Sequence, residues 1–273
     1  MAGRRLEYVD MLIAIVDGER QPPRRGMRGA CPFCRREVLA KCGQKKIWHW
    51  AHMHLSECDP WWENETDWHR AWKSFFPIEW QEVEHRNLST GERHVADVKT
   101  PRGMVMEFQN SPMALEEMMS RESFYERMIW VVNGAMFISS FHILHALPHP
   151  RSSLAKDIVF YKCRKGATSL QHGLFWRQSE KHADCSLVEV HSTREIESDI
   201  IENYSGHHQF MWTNPRSVWF SATKAVFFDF GGPDLWRLQR YDDQGLFCVK
   251  RTSKARLIAR SGGISPWPQE CSC

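Results

Sequence analysis

Residues 97–109 constrain this chain more than any other stretch of it. Asp97 closes the run His94-Val95-Ala96-Asp97, a polar turn around Pro101, Arg102 and Gly103 follows, and Met104-Val105-Met106-Glu107-Phe108-Gln109 comes next. That order predicts two short strands joined by a tight connection. Side chains alternate across a strand, so Glu107 and Gln109 share one face while Met104, Met106 and Phe108 take the other. With the apolar face sealing a core, two carboxylates and an amide are left at an open edge. Paired acids held there suit a hard divalent cation, a common device for breaking a phosphodiester.

The flanking sequence supplies the rest of an α/β layout. Residues 65–76 read as a helix, with Asn64 or Thr66 as cap and Trp68, Ala71, Trp72 and Phe75 at helical spacing. A strand at 78–84, a second helix at 114–128 and a strand at 129–132 ending in Asn133-Gly134 complete it. Helix, three strands, helix, strand predicts one mixed sheet. Three regions follow: an amino-terminal segment, 1–60; an α/β core, 61–148; and a β-rich carboxy-terminal region, 149–273. The first opens with a strand-like stretch at 6–16 and a Pro/Gly/Arg loop at 21–29. The last carries expected strands at 157–161, 217–220, 225–230, 235–241 and 246–250, a helix at 195–204, and a linker at 148–153 before them.

The amino-terminal segment is rich in metal donors. Cys31-Pro32-Phe33-Cys34 is a two-residue-spaced knuckle, and His49-Trp50-Ala51-His52 follows after fourteen residues. Two thiolates in a tight turn and two imidazoles on one side of a short helix close a tetrahedron around structural zinc. Cys58 is an alternate ligand in place of either histidine, and Cys42 and His54 crowd the same stretch. So small a region gains folding free energy from a metal.

Bulk properties narrow the setting. A formal charge of +3 announces no basic tail, so any nucleic-acid surface is a local patch. Nine cysteines without a signal-peptide pattern point to a reducing, cytoplasmic location with thiols or metal ligands. Residues 128–144 lean apolar but are interrupted and too short to span a bilayer, so no membrane association is expected. Asp229-Phe230-Gly231 lacks the companions of the kinase magnesium motif and reads as a buried strand ending in a turn. Trp212, Trp219, Trp236 and Trp267 read as core rather than base-stacking platforms. Cys271 and Cys273 need no role.

Taken in order, these residues resemble the competence protein CoiA-like nuclease family, within the wider restriction-endonuclease-like, PD-(D/E)XK group. The resemblance runs through Cys31 to Cys34, Trp48 to His52, Cys58-Asp59 with Trp61 or Trp62, Glu65 to Lys73, His94 to Asp97 and Glu107 to Ser111. It continues through Arg121, Tyr125 and 129–131 to Trp212-Thr213-Asn214-Pro215-Arg216, Trp219 and 227–231, and is weakest between 150 and 205. It implies a restriction-endonuclease-like mixed sheet flanked by helices, behind a zinc-binding segment. The implied activity is metal-dependent hydrolysis of DNA in uptake, recombination or defence against foreign DNA.

On that resemblance Asp97 and Glu107 hold Mg²⁺ or Mn²⁺, and Glu65 is the extra acid often found on the first helix. His69 and Lys73 follow Glu65 at i+4 and i+8, on one stripe that faces either the site or solvent. Gln109 stands where the wider group commonly has lysine; an amide cannot act as a base but can orient water. Lys99 or Lys73 is left to supply the missing positive charge, and Arg121 and Tyr125, on one helical face, either contact backbone phosphate or simply pack and cap. Gln109 also keeps open a catalytically inactive nucleic-acid-binding or assembly protein built on a nuclease fold. An HNH-type nuclease is disfavoured, because no asparagine stands at helical spacing from His49, His52 or His54. The mild net charge points to a partner protein or a second subunit for DNA affinity.

Overall fold

The computed structural model describes residues 10–44, 47–53, 58, 65–163, 173–181 and 187–267. His54, Asn64, residues 59–62, Cys271 and Cys273 lie outside the described residues. The chain forms two units, the first from Met1–Ser111, Ser120–Ile129 and Ile258–Pro266, the second from Pro112–Met119, Trp130–Leu257 and Trp267–Cys273. Helices and sheets mix throughout, and the protein is α/β.

The first unit opens on six short strands: β1 (Asp10–Met11), β2 (Ala14–Val16), β3 (Glu19–Gln21), β4 (Arg28–Ala30), β5 (Glu37–Lys41) and β6 (His49–His52). They form one sheet in the order β1-β6-β5-β4-β2-β3. Strands of two to five residues are too short for alternation to register in sequence; of the expected strand-like stretch at 6–16, the described part forms β1 and β2 with a break between them. Residues 49–52 are extended rather than the expected short helix. Met11, Ala14, Cys31, Phe33, Val38 and Trp50 make the core of this sheet. Gly29 lets β4 pass close to β2; a Cβ there would lie 2.8 Å from the Ile15 carbonyl oxygen.

Helix α1 (Asp67–Lys73) is shorter than expected. Thr66 starts it with a capping box: its hydroxyl accepts from the His69 backbone N–H, and the His69 ring returns the favour to the Thr66 N–H. Pro77 lies just beyond its end and disfavours helical backbone at Phe76. A 3-10 turn at Ile78–Trp80 leads into β7 (Gln81–Arg86), β8 (Arg93–Lys99) and β9 (Val105–Gln109), paired antiparallel in sequence order. The expected turn joins β8 to β9: the Gly103 N–H donates to the Thr100 carbonyl at 2.8 Å. Gly103 sits at φ +75°, where a Cβ would be strained. Trp72 stacks on Phe108 with ring centroids 5.4 Å apart, which seats α1 over β9. Burial of those two rings contributes roughly 1.5–3 kcal/mol each. Ala71, expected on the packed stripe, is exposed, whereas His69 and Lys73 are buried. Helix α2 (Leu115–Phe124) stops short of 128.

The second unit holds β10 (Met128–Asn133, from Trp130 onward), β11 (Phe141–Pro148), α3 (Ser153–Asp157), β12 (Ile158–Phe160), β13 (Leu174–Arg177) and β14 (His191–Ser192). It continues with α4 (Glu197–Glu202), β15 (Tyr204–Trp212), β16 (Ala225–Asp229), β17 (Asp234–Arg240), β18 (Phe247–Ser253) and the start of α5 (Lys254–Arg260). Its main sheet runs β11-β15-β18-β17-β16-β10, with a small sheet β12-β13-β14. Residues 217–220 form a 3-10 turn (Ser217–Ser221) instead of a strand, and carry Trp219 into the core. Phe137, Phe141, Trp212 and Phe228 pack together, with Phe137 stacked on Trp212 at 4.6 Å. Trp212 and Trp219 are buried as expected, but Trp267 is exposed. Asp229 ends β16, accepts from the Gly231 N–H at 2.9 Å, and pairs with Lys254 at 2.9 Å. Among the described residues no helix is long and apolar enough to cross a membrane.

Candidate functional site

The β8–β9 ladder pairs Val98 with Met106 and Lys99 with Val105, and one further step in that register sets Asp97 opposite Glu107. There the acids themselves take the backbone donors. The Phe108 N–H donates to Asp97 Oδ2 at 2.8 Å, and the Asp97 N–H faces Glu107 Oε1 at 3.4 Å. Each carboxylate is thus fixed by the strand that carries the other. They are not at an open edge: Glu107 and Gln109 are 3% and 2% exposed, and all of β9 is buried. Only Asp97, with a side chain 24% exposed, reaches the opening.

Lys73 of α1 turns the pair into a larger cluster. Its ammonium lies 2.9 Å from Glu65, 3.1 Å from Asp97 and 3.3 Å from Glu82. Burial alone would lower the lysine pKa, but Glu65, Asp97 and Glu82 outweigh it and hold the ammonium charged well above its usual range. Asp97 feels the converse: burial raises its pKa, and Lys73 and the Phe108 N–H more than compensate, so it stays below the usual carboxylate range. For Glu82 burial prevails and the pKa is raised. Arg121 of α2 meets Glu107 Oε2 at 3.0 Å, both groups buried.

Glu65, His69, Lys73, Glu82, Asp97, Glu107, Gln109 and Arg121 line one cleft of about 30 Å³, room for one or two water-sized species. Four of these are acids and two are fixed cations, so carboxyl groups outnumber the fixed positive charges. Glu65 Oε1 is buried and has no hydrogen-bond partner among the described residues. Hard oxygen donors in excess of local positive charge are what a divalent cation requires.

The remaining expected site residues divide. His69 joins the cleft but is committed: Nδ1 accepts from the Thr66 N–H at 3.2 Å, and Nε2 lies 2.9 Å from the Phe108 carbonyl. Both ring nitrogens are thus engaged, and His69 is a strut between α1 and β9. Gln109 Nε2 donates to the Ser111 carbonyl at 3.1 Å. Lys99 does not line the cleft; two residues along a strand move it roughly 7 Å from Asp97. Of the two lysines expected to supply positive charge, only Lys73 lines the cleft. No local motif marks Glu82 as part of the cleft; its placement depends on α1 and on the six-stranded sheet.

A second cluster lies in the six-stranded sheet. Cys31, Cys34, His52 and Cys58 bring their ligand atoms within 4.8 Å of one another. Cys31 Sγ and Cys58 Sγ are 3.7 Å apart, and Cys34 Sγ lies 3.1 Å from His52 Nε2. Tetrahedral zinc with Zn–S bonds of about 2.3 Å sets its sulfurs about 3.8 Å apart, so the donors fit that ion. The hydrogen bond from Cys58, aided by His52, overcomes burial and brings the Cys31 thiol down to about 4, while the same bond pushes Cys58 up. The Cys34 N–H also points to Cys31 Sγ at 3.4 Å, as in a metal knuckle. His49 is excluded from the expected set, and Cys58 takes its place. On strand β6, residues three apart face opposite ways, and His49 Nδ1 instead meets the Ile47 carbonyl at 2.6 Å. Among the described residues every cysteine is a free thiol.

Residues 24–60 match the family model described as Competence protein CoiA, N-terminal domain. The match covers β4 to β6 and all four donors of the Cys₃His cluster. No curated protein gives a significant match, and no solved structure does.

Proposed function

We propose that this protein is a metal-dependent deoxyribonuclease that hydrolyses phosphodiester bonds, acting in competence, on DNA being taken up or recombined, or on foreign DNA. The observation that carries the reading is the convergence of Glu65, Asp97 and Glu107 with Lys73 in one small cleft where carboxyl groups outnumber the fixed positive charges. The CoiA match at 24–60 supports a place in competence.

Asp97, Glu107 and the unengaged oxygen of Glu65 would hold the Mg²⁺ or Mn²⁺. A bound ion supplies Lewis acidity toward the scissile phosphate and lowers the pKa of water. The chain's own groups do the rest. The Phe108 N–H holds Asp97 in place, and Arg121 orients Glu107. Lys73, held charged by three acids, stands beside Asp97 to balance negative charge that gathers on a phosphate. Gln109, tethered at its amide nitrogen to Ser111, has its carbonyl oxygen set by that tether to orient a water. On this reading the sheet and helices around the cleft form a restriction-endonuclease-like fold. The Cys₃His cluster is its structural zinc site.

A second reading has one observation in its favour. Lys73 and Arg121 already neutralise Asp97 and Glu107, which is how a nuclease scaffold that binds DNA without cutting it would be stabilised. Incubation with plasmid, linear duplex and single-stranded DNA plus Mg²⁺ or Mn²⁺, beside Asp97→Ala and Glu107→Ala, decides between them. Cutting that disappears in both variants supports the nuclease; binding without cutting by the parent supports the scaffold.

A further inference from the structure

Glu82 is the one acid of the cleft that the proposed chemistry leaves without a task, and it is the most constrained. It is 3% exposed and sits on β7 at φ +48°, a left-handed backbone conformation that glutamate rarely adopts. Buried acids in strained backbone persist where surrounding contacts over-determine them, and such positions cluster at functional sites.

The contacts that hold Glu82 come from the six-stranded sheet. The Leu12 N–H donates to Oε1 and the Ile13 N–H to Oε2, each at 3.2 Å, from the link between β1 and β2. The Arg20 guanidinium on β3 donates to the Glu82 carbonyl at 3.2 Å and also to the Gln81 carbonyl. Both ends of the residue are therefore gripped by the sheet that carries the Cys₃His cluster. Met11, next to Leu12, touches the cluster directly, with Cys31 Sγ 3.6 Å from its sulfur. On its other side Glu82 Oε1 receives the Lys73 ammonium at 3.3 Å.

A lysine side chain has four rotatable bonds and no fork to fix its direction. Glu65 precedes α1, the helix that carries Lys73, and Asp97 belongs to β8, so neither refers the ammonium to the amino-terminal sheet. We infer that Glu82 is a positioning residue: gripped by Leu12, Ile13 and Arg20, its carboxyl group fixes the Lys73 ammonium against Asp97 and ties the amino-terminal sheet to the cleft. The effect on catalysis rests on the nuclease reading above; the geometric effect on Lys73 does not.

The test uses the full-length protein and Glu82→Gln, which keeps the shape and an acceptor for the backbone while removing the charge. Acetylation of lysines by an acyl ester, mapped by mass spectrometry, reads Lys73 without any activity. Lys73 should be protected in the parent and labelled at least about fivefold faster in Glu82→Gln, with thermal melting confirming the fold. In the DNA-cleavage assay kcat should fall about tenfold with KM within about twofold, since only positioning is disturbed. If Glu82→Gln does not fold, Arg20→Met, which frees the Glu82 backbone, should raise Lys73 labelling in the same direction. Lys73 labelling that stays at the parental rate in the folded variant overturns the inference. A parent that never cuts DNA overturns the nuclease reading instead and leaves the labelling result to decide this one.

Discussion

The Lys73 ammonium of α1 lies 3.1 Å from the Asp97 carboxylate of β8, fully inside the first unit and shared with Glu65 and Glu82. Gln109, two residues after Glu107 on β9, lines the same cleft with an uncharged amide, and the lysine comes from helix α1.

Lys73→Met should destabilise the protein by about 3–5 kcal/mol, because three buried carboxylates lose their shared partner. Mn²⁺ should recover part of that loss and bind Lys73→Met more tightly than the parent, since the ion and the ammonium compete for the same oxygens. Denaturant melts with and without Mn²⁺ check both; a variant whose stability ignores Mn²⁺ would count against a metal site here.

Asp97→Asn and Glu107→Gln should each cut DNA on the order of 100-fold more slowly, since each removes a carboxylate from where charge develops. Gln109→Ala should slow cutting less, with KM unchanged, because an orienting group rather than a charge is lost. Rates on a linear duplex under saturating Mg²⁺ provide the measurement. A Gln109→Ala rate equal to the parental one removes Gln109 from the mechanism.

Zinc content separates the two histidines. His52→Ala and Cys58→Ser should lose the metal and melt at lower temperature, whereas His49→Ala should retain one zinc per chain. Elemental analysis of the purified variants reads the outcome, and loss of zinc from His49→Ala would restore it to the ligand set.

His207 on β15 should make the second unit acid-sensitive. Burial, with Lys250 and the neighbouring His149 and His208 adding to it, lowers its pKa from 6.5 to about 4. A folded pKa below the unfolded one gives stability that is fully present above about 6.5 and is lost as pH falls toward 4. Unfolding followed between those limits should show this slope in the parent and a shallower one in His207→Gln.

What was legible in the sequence was local. The alternation and turn of 93–109 place Asp97 and Glu107 on adjacent strands, and Thr66 with His69 starts α1. The Cys-Pro-Phe-Cys turn forms because its geometry needs only neighbouring residues. The histidine-rich β15 and the two- to five-residue strands of the amino-terminal sheet carry no clean period, so their pairing is set by partners far along the chain.

Sequence by itself determined the donor types: two strand acids, Glu65 ahead of a helix that carries Lys73, and a thiol-rich knuckle. Tertiary structure alone decided which donors meet. Strand parity turned His49 away from His52, the fold brought Cys58 to the thiols, and the amides of Leu12 and Ile13 recruited Glu82 to Lys73. Spacing along a chain fixes which face a side chain takes once its backbone conformation is known. Which distant faces then converge depends on the packing that buries Trp50, Trp72 and Phe108.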